Sequence, residues 1–483
     1  MSESPGMALH RLVGLPAGPA AFAAMLALPP PQDLSDAGWR TAAVGVLMAI
    51  WWMTEALPLA ATALVPLVAL PLLGQAGVAQ MAAPYAHPLV FLFLGGFLLA
   101  RAMNVWGLDR RLALAVLRAA GASPRGVIAG LMAVTAFLSM WVSNTATAMV
   151  MLPIGLSVAA AFGEEGAEHD AAAPALLLGI AYAATIGGMG TLIGTPPNAL
   201  FAAFMAEEYG IEVGFLRWML VGVPVMLALL PLTWLLLTRL AFRVPAGHSA
   251  RIAAAIRDRH AALEPVGRGG WMVAAVMALA ALAWLARPLL EAWLPALGLL
   301  SDAGIAISGA LLLFLLPANL RTGRFLLSWR EAATIRWDVL ILFGGGLALA
   351  EAIGATDLAD WLGGRLAGLG AMPTVVLLLA VGALIVLVGE LASNTAMAAV
   401  FLPVAGATAL GMGAPAATLA LPVALFATLG FMLPVATPPN AVVFGSGSVE
   451  MRHMLRAGAV LDLVGILVVT ALVLGLGGWV LPG

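Results

Sequence analysis

The chain has 483 residues, 63% hydrophobic and only 10% charged, against about 25% charged in a soluble domain, so it is predicted to be an all-α integral protein of the lipid bilayer. It contains no Cys, which excludes a disulfide scaffold, thiol catalysis and any Cys-ligated metal site. A net charge of −2 without a basic stripe argues against nucleic acid as a partner, and the six scattered His, with no HExxH or GxGxxG pattern, give no sign of a bound cofactor.

Residues 1–36 hold the first apolar stretch, 12–29. It follows only His10 and Arg11, a weak charged leader for a signal peptide, and is read as a retained first helix. Residues 37–240 form a first unit. Its apolar segments at 39–56, 58–74 and 88–104 precede a run of about 36 residues, 126–161, interrupted near its middle by Ser143-Asn144-Thr145. Two arms of ~16 residues rise ~24 Å each, short of a ~30 Å hydrocarbon core. This run is therefore predicted to be a re-entrant helical hairpin with a polar tip. Run 172–206 contains Thr195-Pro196-Pro197, where Pro removes a donor and clashes with the preceding turn, so a broken helix is expected. The tract "GEEGAEHDA" (163–171) reads as a solvated loop, and segment 214–240 closes the unit.

Residues 241–268 read as a cytoplasmic linker, and 269–483 repeat the plan. Scaffold segments at 269–290, 297–317 and 337–353 precede a second hairpin at 372–410 with Ser393-Asn394-Thr395 at its tip. A second broken helix at 415–446 carries Thr437-Pro438-Pro439, and 456–480 is the last span. The total is about eleven spans. Three signatures recur in order: "FLGGFLLA" (93–100) with "LFGGGLALA" (342–350), "SNTATAMVMLPI" (143–154) with "SNTAMAAVFLPV" (393–404), and "GTPPNA" (194–199) with "ATPPNA" (436–441). One ancestral unit used twice is the reading.

Every basic residue is Arg. Alternate connections divide the 22 residues 18 against 4, with only Arg40, Arg217, Arg287 and Arg365 on the poor side. By the positive-inside rule the N-terminus is expected to be cytoplasmic and the C-terminus external. The amphipathic stretch 107–121 falls on the Arg-rich side and its counterpart 355–370 on the Arg-poor side. The two copies are therefore expected to be inverted, as in secondary transporters with a site at the repeat interface.

Ser, Asn and Thr cap helix N-termini, and Thr followed by Pro restarts a helix. Four such N-termini meeting near the midplane, each worth about +0.5 charge, sum to about +2. That suits a dianion without any buried Arg. Free carbonyls at the ends of the first half-helices suit a small cation. Each motif alone is equally well read as a cap or a kink; duplication and inversion favour the binding role. Glu390 is read either as a coupling carboxylate or as an acid neutralised by protonation or local hydrogen bonds, and Glu55 as a satisfied interfacial acid. An intramembrane enzyme with Ser143 or Ser393 as nucleophile lacks an embedded His or Lys partner, and no loop is long enough to be a receptor's output domain.

At these motifs, from about residue 38 to 480, the sequence resembles the divalent anion/sodium symporter family, carriers of di- and tricarboxylates or sulfate. The resemblance implies a homodimer with a static scaffold and a mobile transport domain working as an elevator in the cytoplasmic membrane. It implies that the triplets Ser143-Asn144-Thr145 and Ser393-Asn394-Thr395 hold the two carboxylates, with Thr195 and Thr437 nearby. One sodium site would use Ser139, Ser143, Asn144 and Gly194, the other Gly389, Ala392, Asn394 and Ala436. Family members often carry Thr where this chain has Gly389, so the second ion site loses a side-chain ligand. Sodium-coupled symport of C4-dicarboxylates such as succinate, malate or fumarate is the leading expectation. Sodium-independent exchange, or citrate or sulfate as substrate, is the alternative.

Overall fold

The computed structural model describes residues 9–163, 172–247, 249–293, 301–368 and 372–480. Helices α1 (Leu9–Ala27) and α2 (Asp36–Met53) pack on one another, with Gly18 against the Trp51 ring. Segment 58–74, expected as one span, is instead two short helices, α3 (Leu59–Thr62) and α4 (Pro66–Leu72). Pro58, Pro66 and Pro71 remove the N–H groups a continuous helix would need. A short α5 (Val78–Ala82) leads to α6 (Pro88–Val105) and the amphipathic α7 (Leu108–Ala120).

The first long run forms α8 (Pro124–Ser139) and α9 (Asn144–Gly163), separated by four residues. Leu131 on α8 reaches within 3.8 Å of the position a Cβ on Gly155 of α9 would take. These two residues are equally distant from Ser143, so the arms fold back on one another about the triplet. The next run is interrupted as expected: α10 (Ala172–Gly188) and α11 (Pro196–Tyr209) flank an unwound segment at 189–195. Tract 163–171 lies outside the described residues but for Gly163.

Helix α12 (Phe215–Leu235) continues as a π-helical turn to Ala241. The expected linker contains a helix, α13 (Ala250–Ala261), started by Ser249 accepting from the Ile252 N–H at 3.1 Å. Its polar composition lowered its signal, but the cap sets its start. Then follow α14 (Arg268–Trp293), α15 (Asp302–Leu315), a small antiparallel pair β1 (Pro317–Asn319) and β2 (Arg324–Phe325), and a turn of helix, α16 (Trp329–Ala332). Helices α17 (Trp337–Gly354) and α18 (Leu358–Leu366) precede the second helix–break–helix, α19 (Thr374–Gly389) and α20 (Asn394–Gly411). The second broken helix is α21 (Ala417–Phe426) and α22 (Pro438–Phe444), unwound at 427–437, and α23 (Met451–Val480) ends the fold.

Seven of the described helices are long and apolar enough to cross a bilayer. The helices that precede the two tips, α8 and α19, each have 16 residues and fall among the shorter apolar helices. The Gly-rich signatures serve close packing. Gly95 on α6 sits against the Ala306 backbone of α15, and Gly345 on α17 against the Ala63 backbone beside α3, where a Cβ would clash. Between them the Phe93 and Phe343 rings meet edge to face, 4.7 Å between centroids, so the two signatures touch.

The units then interlock reciprocally. Helix α11 of the first packs on α20 of the second, and α22 of the second packs on α9 of the first. This exchange carries both polar tips and both Pro-broken segments to one place.

Candidate substrate and ion site

A cavity of about 390 Å³ is lined by Ser143, Asn144, Thr145, Gly194 and Thr195 from the first unit, and by Ser393, Asn394, Thr395, Ala436 and Thr437 from the second. Residues separated by up to 294 positions thus share one wall system. All four helix starts at the motifs face it: α9 at Asn144, α11 at Pro196, α20 at Asn394 and α22 at Pro438. A helix N-terminus presents unpaired N–H groups and a partial positive charge. Helix α22 has only seven residues, so its share is the smallest.

The triplets do not behave as identical caps. Ser143 Oγ accepts from the Ala146 N–H at 3.4 Å, while Ser393 makes no side-chain cap. Thr437 Oγ1 accepts from the Asn440 N–H at 3.3 Å, whereas Thr195, expected to cap α11, makes no such bond. Thr195 and Thr437 nonetheless share one backbone shape, φ −144°, ψ 145° and φ −137°, ψ 146°.

Behind the first tip, oxygens converge. The buried Ser139 Oγ lies 2.7 Å from Asn144 Oδ1 and donates to the Ala184 carbonyl at 2.6 Å. The amide of Asn144 also stands 3.1 Å from the Gly194 carbonyl and 3.2 Å from that of Ala184. Turned with nitrogen inward, it donates to all three groups. Turned with oxygen inward, it completes an all-oxygen cluster. Ligands at right angles and ~2.4 Å from a hard cation lie ~3.4 Å apart; the cluster has the chemistry of a sodium site, and its contacts of 2.6–3.2 Å would have to spread to take the ion. Ala184 gives only a carbonyl, and no sequence signal marks it.

The second tip is poorer. Asn394 Nδ2 donates to the Thr428 carbonyl at 3.4 Å, and its Oδ1 is buried with no hydrogen-bond partner. Gly389 offers no side chain, and its carbonyl already accepts from the Ala392 N–H at 3.2 Å. Ala436 lines the cavity, but Gly389 and Ala392 lie outside its wall. The orphaned Oδ1 suits a cation; the remaining second-site residues are not drawn into an oxygen cluster like that of the first.

Two features escaped sequence reasoning, and a third was left open between two readings. The Asn of each "TPPN" clamps its own unwound segment: Asn198 Nδ2 donates to the carbonyls of Gly188 (2.9 Å) and Thr191 (2.7 Å), and Asn440 Nδ2 to those of Gly430 (3.1 Å) and Leu433 (3.0 Å). Buried Glu390 accepts from the N–H groups of Met432 (2.9 Å) and Leu433 (2.7 Å), tying the second tip to the second unwound segment, with Asp462 of α23 beside it. Local hydrogen bonds therefore hold Glu390. Third, the cavity does contain an arginine. Arg336, expected among surface cytoplasmic charges, lines it in ion pair with Asp338. Glu55 is paired with Arg11 at 2.7 Å, as a satisfied acid should be.

The model of the sodium:sulfate symporter transmembrane region matches residues 10–481. The chain belongs to the sodium:sulfate symporter family. Among its relatives, the sodium-dependent dicarboxylate transporter SdcS of Staphylococcus aureus (strain USA300) is 38% identical over 479 residues, covering 96% of this chain and 90% of that protein. The protein of the same name from Staphylococcus saprophyticus is 37% identical over 485 residues, covering 98% and 92%. The crystal structure of the Alcanivorax borkumensis YdaH transporter aligns with 91% of this chain and 100% of that one, at a TM-score of 0.57 and 17% identity. That likeness is one of fold. Membership in the symporter family and the apolar helices make this chain a multi-pass membrane transporter.

Proposed function

We propose that the chain is a secondary active transporter that carries C4-dicarboxylates such as succinate, malate or fumarate together with sodium. The observation that carries this reading is the single cavity walled by both Ser-Asn-Thr tips and both Thr-Pro-Pro segments. Two similar polar sets, one from each half of the chain, suit two carboxylates joined by a short chain better than one compact sulfate. The names of the staphylococcal relatives support the same substrate class and ion.

In this reading Ser143, Asn144, Thr145 and Thr195 bind one carboxylate, and Ser393, Asn394, Thr395 and Thr437 the other. Helix N-termini and hydroxyl donors replace the water each carboxylate gives up. A sodium ion would be held by Ser139 Oγ, Asn144 Oδ1 and the carbonyls of Gly194 and Ala184, with Ser143 close by. A second would be held by Asn394 Oδ1 with Gly389, Ala392 and Ala436. Bound sodium supplies positive charge beside the developing dianion site, so loading of either ion favours the other.

The two helix–break–helix units act as re-entrant hairpins and, with α10–α11 and α21–α22, form a mobile body. The Gly-packed helices α6, α15 and α17 form a scaffold that pairs with a second copy, and the mobile body moves against it as an elevator. About eleven spans result, in two inverted units lying at 37–240 and 269–483, in the cytoplasmic membrane with the N-terminus inside and the C-terminus outside.

Two measurements test this. Purified protein in proteoliposomes is expected to take up labelled succinate when an inward sodium gradient is applied and to lose most of that uptake when choline replaces sodium. Uptake that ignores sodium but requires succinate inside the vesicle would establish the exchanger instead. For topology, Cys introduced at Ala254 should react only with reagents that reach the cytoplasm, and Cys at Ala367 only from outside. Labelling of both from one side rejects the inverted arrangement.

A further inference from the structure

The binding cavity adjoins a second space of about 360 Å³: Phe97, Ser143, Thr145 and Arg336 line both. The second space adds Arg101 and Asn104 to its wall. Arg336 therefore stands at the border between the triplet-lined chamber and this neighbouring space. It is the N-cap residue of α17, with φ −79° and ψ 70° and no side-chain cap. Its guanidinium is committed to Asp338, two residues on, by Nε at 2.9 and 3.2 Å and by a terminal nitrogen at 2.7 Å. The side chains are 47% and 53% exposed, so the pair is solvated and free to exchange partners.

Pairing decides what enters. The four helix starts and the sodium ions proposed above lie at the two triplets and the Thr-Pro-Pro segments, where two carboxylates use them, and Glu55 and Arg11 neutralise one another. A third carboxylate brought into this chamber meets no uncommitted cation among the residues of its wall, and burying an unpaired carboxylate is costly. Arg336 is the cationic side chain in that wall, and Asp338 holds it.

We propose that Asp338 is a specificity-determining residue that masks Arg336 and so restricts the chamber to substrates with two carboxylates. Removing the mask releases a bidentate guanidinium to a third carboxylate, admitting tricarboxylates. The inference rests on the dicarboxylate reading above and adds the residue pair that sets its upper limit of charge. Arg suits this role because its planar fork pairs equally well with Asp338 or with a ligand carboxylate.

The test uses two anions that differ by one carboxylate, glutarate and its 3-carboxy derivative tricarballylate. Each is measured for inhibition of succinate uptake and for thermal stabilisation of the purified full chain in sodium. The native protein is expected to prefer glutarate. In Asp338→Asn the preference should shift toward tricarballylate by about tenfold, the scale of one charge-assisted contact. In the Arg336→Gln, Asp338→Asn double variant that shift should vanish, because nothing remains to be unmasked. Asp338→Ser carries the same expectation should the Asn variant insert poorly. A ratio that stays within twofold of native in both single variants, or a shift that survives loss of Arg336, overturns the proposal. Failure of the native protein to bind or carry any dicarboxylate overturns the underlying reading instead, and the masking role with it.

Discussion

Replacing Asn144 and Asn394 together by Ala is expected to abolish dicarboxylate uptake while leaving a folded, membrane-inserted protein. Each Asn sits at the first residue of a helix that faces the cavity, and each amide reaches backward to the unwound segment of its own unit. Asn144 meets Ser139 and the Gly194 and Ala184 carbonyls; Asn394 meets the Thr428 carbonyl. On the proposed reading, losing one removes a donor from the anion site and an oxygen from the cation cluster at once. A hydrogen bond to a charged group contributes roughly 1.5–3 kcal/mol, so two lost together weaken the loaded state by about 3–6 kcal/mol. That corresponds to a fall in uptake of roughly 10²- to 10⁴-fold.

Folding should survive, because the helices start for other reasons. Ser143 still caps the Ala146 N–H, and α10 packs extensively on α8 and α9 along their lengths. The check is initial succinate uptake per inserted protein, with a thermal melt of the same sample. Near-native uptake by a well-folded double variant would sink the assignment of the triplets.

The elements that carry this prediction were legible in the sequence because they break a rule. Polar triplets and paired prolines inside apolar runs are expensive unless something uses them, and the breaks at 140–143, 189–195, 390–393 and 427–437 fall where those residues stand. The split of segment 58–74 was signalled by Pro58, Pro66 and Pro71, but its even hydrophobicity masked them. The role of Ala184 was not legible, since a carbonyl belongs to every residue and only the fold selects one. Arg336 misled for a different reason. Its charge placed it in the Arg-rich connections, which fixes a side of the membrane but not how deep a long side chain reaches toward a cavity. Asn198 and Asn440 stood in the quoted motif, yet their work on the Gly188, Thr191, Gly430 and Leu433 carbonyls depends on an unwound geometry that no periodicity encodes.

The asymmetry between the two tips leads to the second large effect, on sodium. Ser139 is fully buried and its hydroxyl touches both Asn144 and the Ala184 carbonyl. The corresponding residue before the second tip, Gly389, offers nothing beyond its backbone. A hard cation binds more weakly as oxygen ligands are removed, so Ser139→Ala should raise the sodium concentration for half-maximal uptake by about tenfold or more, the scale of one lost contact to a charge. Gly389→Thr should move it the other way. The substitution is sterically open: Gly389 ends α19 outside the left-handed region, and an added Cβ would find only Met397 Cγ, 3.8 Å away. In the proposed ion sites a threonine hydroxyl there would supply the ligand assigned to Ser139 at the first tip, for a cation shared with the unpartnered Asn394 Oδ1. Sodium titrations of succinate uptake in both variants, fitted for half-saturation and steepness, decide the matter. Half-saturation unchanged by Ser139→Ala, in protein that still transports, would remove Ser139 from the ion site. A steepness and half-saturation unmoved by Gly389→Thr would mean that the second tip holds no sodium at all.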